Sequence, residues 1–118
     1  MRAYELMIIF DGDLEEEAVA ASLSKATATI EAEGGRVASM LDTEPWGRRR
    51  FAYRINNKWE GVYVVLEVVT EANDLATIDR NLRLADRSEV VRHKIIRLPD
   101  SEVGRRGLLG EGEPATAD

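Results

Sequence analysis

Two segments of the chain carry apolar residues at helical spacing, and each lies between segments rich in β-forming residues. The first helix is predicted between Asp13, a suitable N-cap, and Gly34-Gly35, where a glycine supplies the left-handed terminal conformation. The second helix is predicted to begin after the capping candidates Asn73 and Asp74. Because strand patterns precede and follow each helix, the predicted order of elements is βαββαβ.

The strand patterns occupy four segments, at residues 3–10, 36–55, 61–69 and 89–98. The second segment is interrupted near Pro45, because proline cannot donate a hydrogen bond to a strand ladder. Two βαβ units of this length predict a ferredoxin-like α+β sandwich, in which a four-stranded antiparallel sheet carries two helices on one face.

The length of 118 residues is that of one domain, which is predicted to span residues 1–98. From residue 99 onward the chain is rich in Gly, Glu and Ala. Such a composition buries too little apolar surface to offset the entropy of ordering. Residues 99–118 are therefore predicted to form a flexible acidic C-terminal tail.

Charge is distributed unevenly along the chain, which has 16 basic and 22 acidic residues and a net charge of −6. Residues 46–59 hold five basic side chains and no acidic one. The negative total disfavours attraction of the whole protein to nucleic acid, so any contact with a polyanion is predicted to be local. A solvated strand or turn is the plainer interpretation of the same basic segment.

Residues suited to catalysis are few. The chain has no cysteine, which excludes a disulfide, a thiolate metal site and a thiol nucleophile. Its single histidine, His93, has the strand alternation of a packed residue rather than a base. We therefore expect no enzymatic activity, no cofactor, no metal and no small-molecule substrate. The apolar runs are too short to span a bilayer and the opening residues lack a signal-peptide pattern, so a cytoplasmic location without a membrane partner is expected.

Alternation along the strands predicts which face of the sheet each side chain shares. Because an unpaired carboxylate is costly in a core, Glu5 and Glu67 mark the face away from the helices, called here the open face. The residues predicted on it are apolar or basic: Met7, Ile9, Arg50, Ala52, Arg54, Tyr63, Val65, Arg92, Lys94 and Ile96. The strand residues predicted beneath the helices are Leu6, Ile8, Phe10, Phe51, Tyr53, Ile55, Val62, Val64, Leu66, Val68, Val91, His93 and Ile95.

This mixture on the open face predicts a docking surface with charged surroundings. An ordinary scatter of apolar residues over a sheet surface is the alternative. A slip of one residue, or a bulge, would invert the assignment of any strand.

Residues 46–56, with the sequence WGRRRFAYRIN, resemble the W-G-R/K-R-x-L-A-Y-x-I signature of the bacterial small ribosomal subunit protein six family. The opening MRAYE, the GGRV at 34–37, the GVY at 61–63 and the last strand at 90–97 match further blocks of that family in its order. The resemblance covers about residues 1–98 and implies the same βαββαβ fold.

The resemblance implies a structural constituent of the small ribosomal subunit without catalytic activity, located on the ribosome. It also implies binding to the central domain of small-subunit ribosomal RNA together with small-subunit ribosomal protein eighteen. The basic family positions that this implies for contact with RNA or the partner are Arg2, Arg48, Arg49, Arg92 and Lys94, and strand alternation adds Arg50 and Arg54. The implied partner-binding residues are Met7, Ile9, Trp46, Tyr63, Val65 and Ile96.

Two departures from the family pattern affect these expectations. The eight residues 38–45 exceed the spacing that the resemblance implies, which leaves the register of Arg48 and Arg49 open. Phe51 stands where the family usually has leucine. Two other classes of function use the same topology: a dimeric α+β barrel enzyme, which the arginine cluster disfavours, and a single-strand RNA-recognition module, whose arginine-glycine-aromatic motif is missing.

Overall fold

The computed structural model describes residues 2–42, 47–55, 58–71, 75–86 and 88–108. Its elements in chain order are β1 (Arg2–Asp11), α1 (Glu16–Ala32), β2 (Arg36–Leu41), β3 (Gly47–Ile55), β4 (Lys58–Thr70), α2 (Ala76–Leu84), β5 (Val90–Arg97) and α3 (Asp100–Arg106). The predicted α+β class, with an antiparallel sheet and helices α1 and α2 on one face, is confirmed. Among the described residues, no helix is long and apolar enough to cross a membrane.

The sheet has the strand order β2-β4-β1-β5, with β3 also paired to β4. Strand β1 pairs with β4 along residues 61–70, so β2 and β3 both lie on the other side of β4. They share one edge of the sheet, where the sequence predicted a single interrupted strand at 36–55. All of the pairings are antiparallel.

The main core lies between the sheet and the two long helices. Leu6, Ile8 and Phe10 of β1 are fully buried there, as their alternation predicts. Side chains at helical spacing cover them, Leu23, Ala26 and Ile30 from α1 and Ile78 and Leu82 from α2. Burial of the leucine and isoleucine side chains among them, at roughly 1.5–3 kcal/mol each, fixes the helices on this face.

The ends of α1 follow the sequence prediction only in part. The predicted N-cap Asp13 is wrong, because its backbone N–H donates to the Asp11 carboxylate in a turn before the helix, which begins at Glu16. At the other end Gly34 adopts φ +91°, the left-handed conformation that glycine adopts at least cost, and the prediction is confirmed. The capping candidates Asn73 and Asp74 lie outside the described residues.

Helix α3 corrects the predicted tail. The segment expected to be flexible from residue 99 onward instead forms a short helix, with Val103 and Leu108 buried against Ala3, Val69 and Leu98. Ala3 and Val69 are paired on the face opposite the main core, so α3 packs on the open face. Gly107 ends the helix at φ +65°. Residues 109–118 lie outside the described residues.

Candidate functional site

The open face has two different halves. At one end α3 covers it, as described above. At the other end a second apolar cluster joins three strands, with Ile9, Phe51 and Val91 buried and Met7, Ile55 and Tyr63 packed against them. We call these six residues the open-face cluster. The Phe51 and Tyr63 rings meet edge to face, with centroids 6.3 Å apart.

Phe51 and Ile55 were predicted beneath the helices, and that prediction is wrong. Strand β3 begins at Gly47, which lies opposite Tyr63, and Arg49 lies opposite Gly61, so every second residue from Gly47 shares the open face. The register shifts again between Arg50 and Ile55. These irregularities reverse the alternation that a continuous strand over 36–55 would have. The side chains of Ala52 and Tyr53 lie outside what the structure describes.

Val91 is the second reversal. The register of β5 against β1 shifts between Ile9 and Phe10, which lie opposite Arg92 and Val90 respectively. Val91 is therefore the additional residue of a bulge and packs in the open-face cluster, whereas Val90 joins the main core. His93, opposite Ile8, keeps its predicted place on the helix side.

Five of the six predicted partner-binding residues share the open face. Register places Met7 opposite Val65, Ile9 opposite Tyr63 and Ile96 opposite Glu5. Ile9 and Val65 are buried at 6% and 1% exposure, so they form the floor of this surface. Met7 and Tyr63 are half-buried and Ile96 is 42% exposed, so these three are accessible. Trp46 lies outside the described residues.

Leu41 is an exposed apolar residue that the sequence analysis missed. It lies opposite Val65 and thus extends the apolar surface of the open face toward β2. Leu41 shares its side of β2 with Ser39, which lies opposite the marker Glu67. The register of β2 shifts between Val37 and Ser39, so alternation counted along the sequence does not assign Leu41 to this face.

Three of the predicted basic residues flank the open-face cluster. Arg92 and Lys94 project from β5 opposite Ile9 and Met7, and Arg49 projects from β3 opposite Gly61. All three are exposed. The two outer strands are separated by β4 and β1, so three strand spacings of about 4.8 Å place the basic rows roughly 14 Å apart.

The other predicted basic residues are placed differently. Arg48 lies opposite Val62, on the helix side, and its Nη1 donates to the Gly12 carbonyl at 2.9 Å and to Glu60 Oε1 at 3.3 Å. Arg2 donates from Nη1 to the Glu71 carbonyl at 3.3 Å, at the far end of the sheet.

Arg50 and Arg54 were assigned to the open face by strand alternation. Arg50 lies opposite Glu60 and shares the alternation of Arg48, so its assignment is wrong, for the same reason as that of Phe51. Its guanidinium carbon lies 5.1 Å from the ring centroid of Trp59. Arg54 is exposed, within the irregular part of β3.

An ion-pair cluster lies between the two halves of the open face. Glu5 and Glu67 lie directly opposite each other, and Arg106 Nη1 donates to both, at 3.2 and 2.9 Å. Arg106 Nε donates to Glu102 Oε1 at 2.9 Å, and the Ser39 hydroxyl donates to Glu67. The hydrogen bond to Glu102, more than those to Glu5 and Glu67, raises the pKa of Arg106 above its ordinary value. Arg106 was predicted to lie in the flexible tail, so this contact was not expected from the sequence.

His93 is a packed residue, as predicted. Its Nε2 lies 2.7 Å from Asp79 Oδ1 of α2, and its side chain is largely buried. This hydrogen bond lowers the pKa of Asp79 from its ordinary value. Within the ranges that the structure describes, no group of three or more His, Cys, Asp or Glu residues is placed to hold a metal ion.

A groove of about 800 Å³ lies on the helix side of the sheet, between α1 and the β2/β3 edge. Val19, Leu23 and Met40 line it, and Arg48 reaches its rim. The groove is thus on the opposite face from the surface that a dimeric α+β barrel would close around a substrate. It lends that class of enzyme no support.

Comparison with known proteins places this geometry in a family. The family profile described as ribosomal protein S6 matches residues 3–97. Small ribosomal subunit protein bS6 of Salinispora tropica is 44% identical over 97 residues, covering 82% of this chain and 96% of the relative, and that of Acidothermus cellulolyticus is 39% identical over 101 residues, covering 86% and 99%. The crystal structure of 30S ribosomal protein S6 from Thermotoga maritima superposes with a TM-score of 0.76 at 26% identity, covering 92% of this chain and 97% of that one.

Proposed function

This chain belongs to the ribosomal protein S6 family of the small ribosomal subunit, and we propose that its open face holds ribosomal RNA and a protein partner together. The RNA is the central domain of small-subunit ribosomal RNA, and the partner is small-subunit ribosomal protein eighteen. The role is structural, without catalysis, during assembly and in the mature cytoplasmic ribosome. The observation that carries the proposal is an apolar cluster on the open face with exposed basic residues on both sides.

The charge of the chain supports joint rather than independent binding to RNA. A net charge of −6 opposes approach to a phosphate backbone, so the positive side chains act only over short distances. Arg49, Arg92 and Lys94 supply that local charge at the edges of the open face. A basic protein docked between them would add the positive charge that this chain lacks.

The apolar surface supports a protein partner between the basic edges. Met7, Tyr63 and Ile96 offer accessible apolar area above the buried floor formed by Ile9 and Val65. An interface of this kind, with an apolar centre and a polar rim, is typical of protein–protein contacts. We therefore propose that the partner lies over the cluster and that RNA contacts the exposed basic residues at its edges.

The first experiment is a gel-shift titration of central-domain RNA with this protein, with and without protein eighteen. We expect little shift with this chain alone and a defined ternary complex when both proteins are present. No shift in either case, together with a homodimer in light scattering, would contradict the proposal and favour the closed-barrel class.

Replacing Arg92 and Lys94 together by alanine is expected to weaken the ternary complex and to reduce its dependence on salt. Each lost phosphate contact lowers the slope of log affinity against log salt by about 0.7–0.9. The measurement is the dissociation constant at several salt concentrations.

The matched control is Lys25→Ala with Arg80→Ala, which removes the same charge from exposed positions on the helix layer. It should leave the slope nearly unchanged. An equal loss of slope in both double variants would show that net charge, rather than contact by Arg92 and Lys94, sets the salt dependence.

A further inference from the structure

Trp59 has an exposed indole at the start of β4. It is 46% exposed, and it precedes the β4 residues that the main core and the open-face cluster bury. It lies between Lys58 and Glu60, whose partners on β3 are Ile55 and Arg50, so it sits at the end of the sheet where the register of β3 shifts. A large aromatic surface in this position is not needed for packing of the described core.

Arg50 of the neighbouring strand lies over the Trp59 ring, with its guanidinium carbon 5.1 Å from the ring centroid. This cation–π contact orders both side chains and covers part of the indole. The ring remains nearly half exposed, so aromatic surface is left for a second planar group.

The segment of chain that carries this pair is rich in positive charge. Residues 46–59 contain no acidic side chain, and Arg49 and Arg54 of the same strand are exposed. The nearest carboxylate in sequence, Glu60, pairs with Arg48 at 3.3 Å. Lys58 pairs with Asp13. Glu60 and Asp13 are thus each paired with a cation, while Arg50 and Arg54 add positive charge.

We propose that Trp59 and Arg50 form a stacking site for one unpaired RNA base, with the neighbouring arginines facing its phosphates. An aromatic ring next to cationic side chains is the arrangement that binds single-stranded nucleic acid, because every base has a π face. The inference rests on the proposed function, since the open face brings the RNA to this end of the sheet. Tryptophan and arginine also anchor protein partners, but the surrounding positive charge favours a polyanion.

The test uses the full chain carrying Trp46→Phe. Because the sequence has two tryptophans, Trp59 is then the one that remains. Oligoadenylate is titrated at low salt while indole fluorescence is recorded, and an abasic phosphodiester of equal length is the comparison. We expect quenching and tighter binding with the base-containing oligomer only. Equal quenching and equal affinity for the abasic oligomer would overturn the stacking site.

Affinity variants give a second readout. In the otherwise unaltered chain, Trp59→Ala is expected to weaken oligoadenylate binding about tenfold, within the range reported for loss of one stacked base. Trp59→Phe should retain part of the affinity, and Arg50→Ala should weaken it less than Trp59→Ala. Leu84→Ala, which removes an exposed apolar side chain on α2, is the matched control and should have no effect.

The ternary complex separates failure of this inference from failure of the proposed function. If no ternary complex forms with the unaltered chain, the proposed function fails. If the complex forms and Arg92→Ala/Lys94→Ala weakens it while Trp59→Ala does not, only the stacking site is wrong. Loss of partner affinity without loss of oligonucleotide affinity in Trp59→Ala would identify a protein contact instead and overturn the proposal.

Discussion

Gly61→Ala is expected to destabilise the fold strongly, because no room exists for a Cβ atom at this position. An added Cβ would lie 2.6 Å from Phe51 Cζ, 2.9 Å from Ile9 Cγ2 and 3.0 Å from the Phe10 carbonyl oxygen. Phe51 and Ile9 are buried in the open-face cluster, so neither side chain moves freely. Overpacking of this kind costs about 1–3 kcal/mol. The measurement is the free energy of unfolding from urea titration.

Gly104→Ala in α3 is the matched control, since nothing lies within 4 Å of the new Cβ atom. There the substitution should be neutral or slightly stabilising, because alanine is the better helix former by about 1 kcal/mol.

Phe51→Ala tests the cause of the Gly61 effect. Alone it should cost about 3–5 kcal/mol, as removal of a buried phenylalanine does. In the double variant with Gly61→Ala, the steric conflict with the ring is absent. The loss of unfolding free energy in the double variant should therefore be smaller than the sum of the losses in the two single variants. Full additivity would show that Phe51 is not the group that excludes a side chain at Gly61.

The two central strands were predictable from the sequence in nearly every detail. Glu5 in β1 and Glu67 in β4 both mark the open face, and the two strands pair without a register shift. A period of two then assigns Leu6, Ile8 and Phe10 to one face and Met7 and Ile9 to the other. The same reasoning assigned His93, Lys94 and Ile96 of β5 to the correct faces, because these residues lie beyond the bulge in that strand.

The edge strands were not predictable in the same way. The register of β3 restarts at Gly47 and shifts again after Arg50, so alternation cannot be carried from β2 into it. Phe51 thus lies on the open face, and Arg50 on the opposite alternation. Val91 was misassigned because it is the additional residue of the bulge between Val90 and Arg92. Bulges depend on tertiary pairing, and the sequence of a single strand does not reveal them.

Helix α3 was missed because composition averaged over residues 99–118 hides a short apolar pattern. Val103 and Leu108 provide enough apolar area to dock on Ala3 and Val69, although the surrounding residues are polar. The facing carboxylates of Glu5 and Glu67 were used only as markers of an exposed face. Two like charges directly opposite on adjacent strands are destabilising, which indicates a cation between them.

Arg106→Ala is expected to lower the free energy of unfolding by about 1–3 kcal/mol, since it leaves the facing carboxylates of Glu5 and Glu67 without their cation. Arg106 is 27% exposed, and Glu67 only 12%, so solvent screens this site less than a surface ion pair. Replacing Glu67 by glutamine in the same chain should restore much of the loss, because it removes the repulsion. Urea titration gives the stability, and amide hydrogen exchange in α3 reports whether the helix stays docked.

The neighbouring arginine supplies the matched control for this effect. Arg105 is 70% exposed and pairs with Glu102, so Arg105→Ala should change stability by only about 0–1 kcal/mol.

Hydrogen bonds from Arg105 first, and then from Arg106, lower the pKa of Glu102. The contribution of the Glu102 carboxylate to stability is therefore present above its pKa in the unfolded chain, about 4.3. It is lost as the pH falls through the lower pKa of the folded chain. Lowering the pH through this range should reduce the difference in unfolding free energy between Arg106→Ala and the unaltered chain. Equal losses for Arg105→Ala and Arg106→Ala at neutral pH would show that the contact with Glu102, rather than the Glu5–Glu67 pair, holds α3 on the open face.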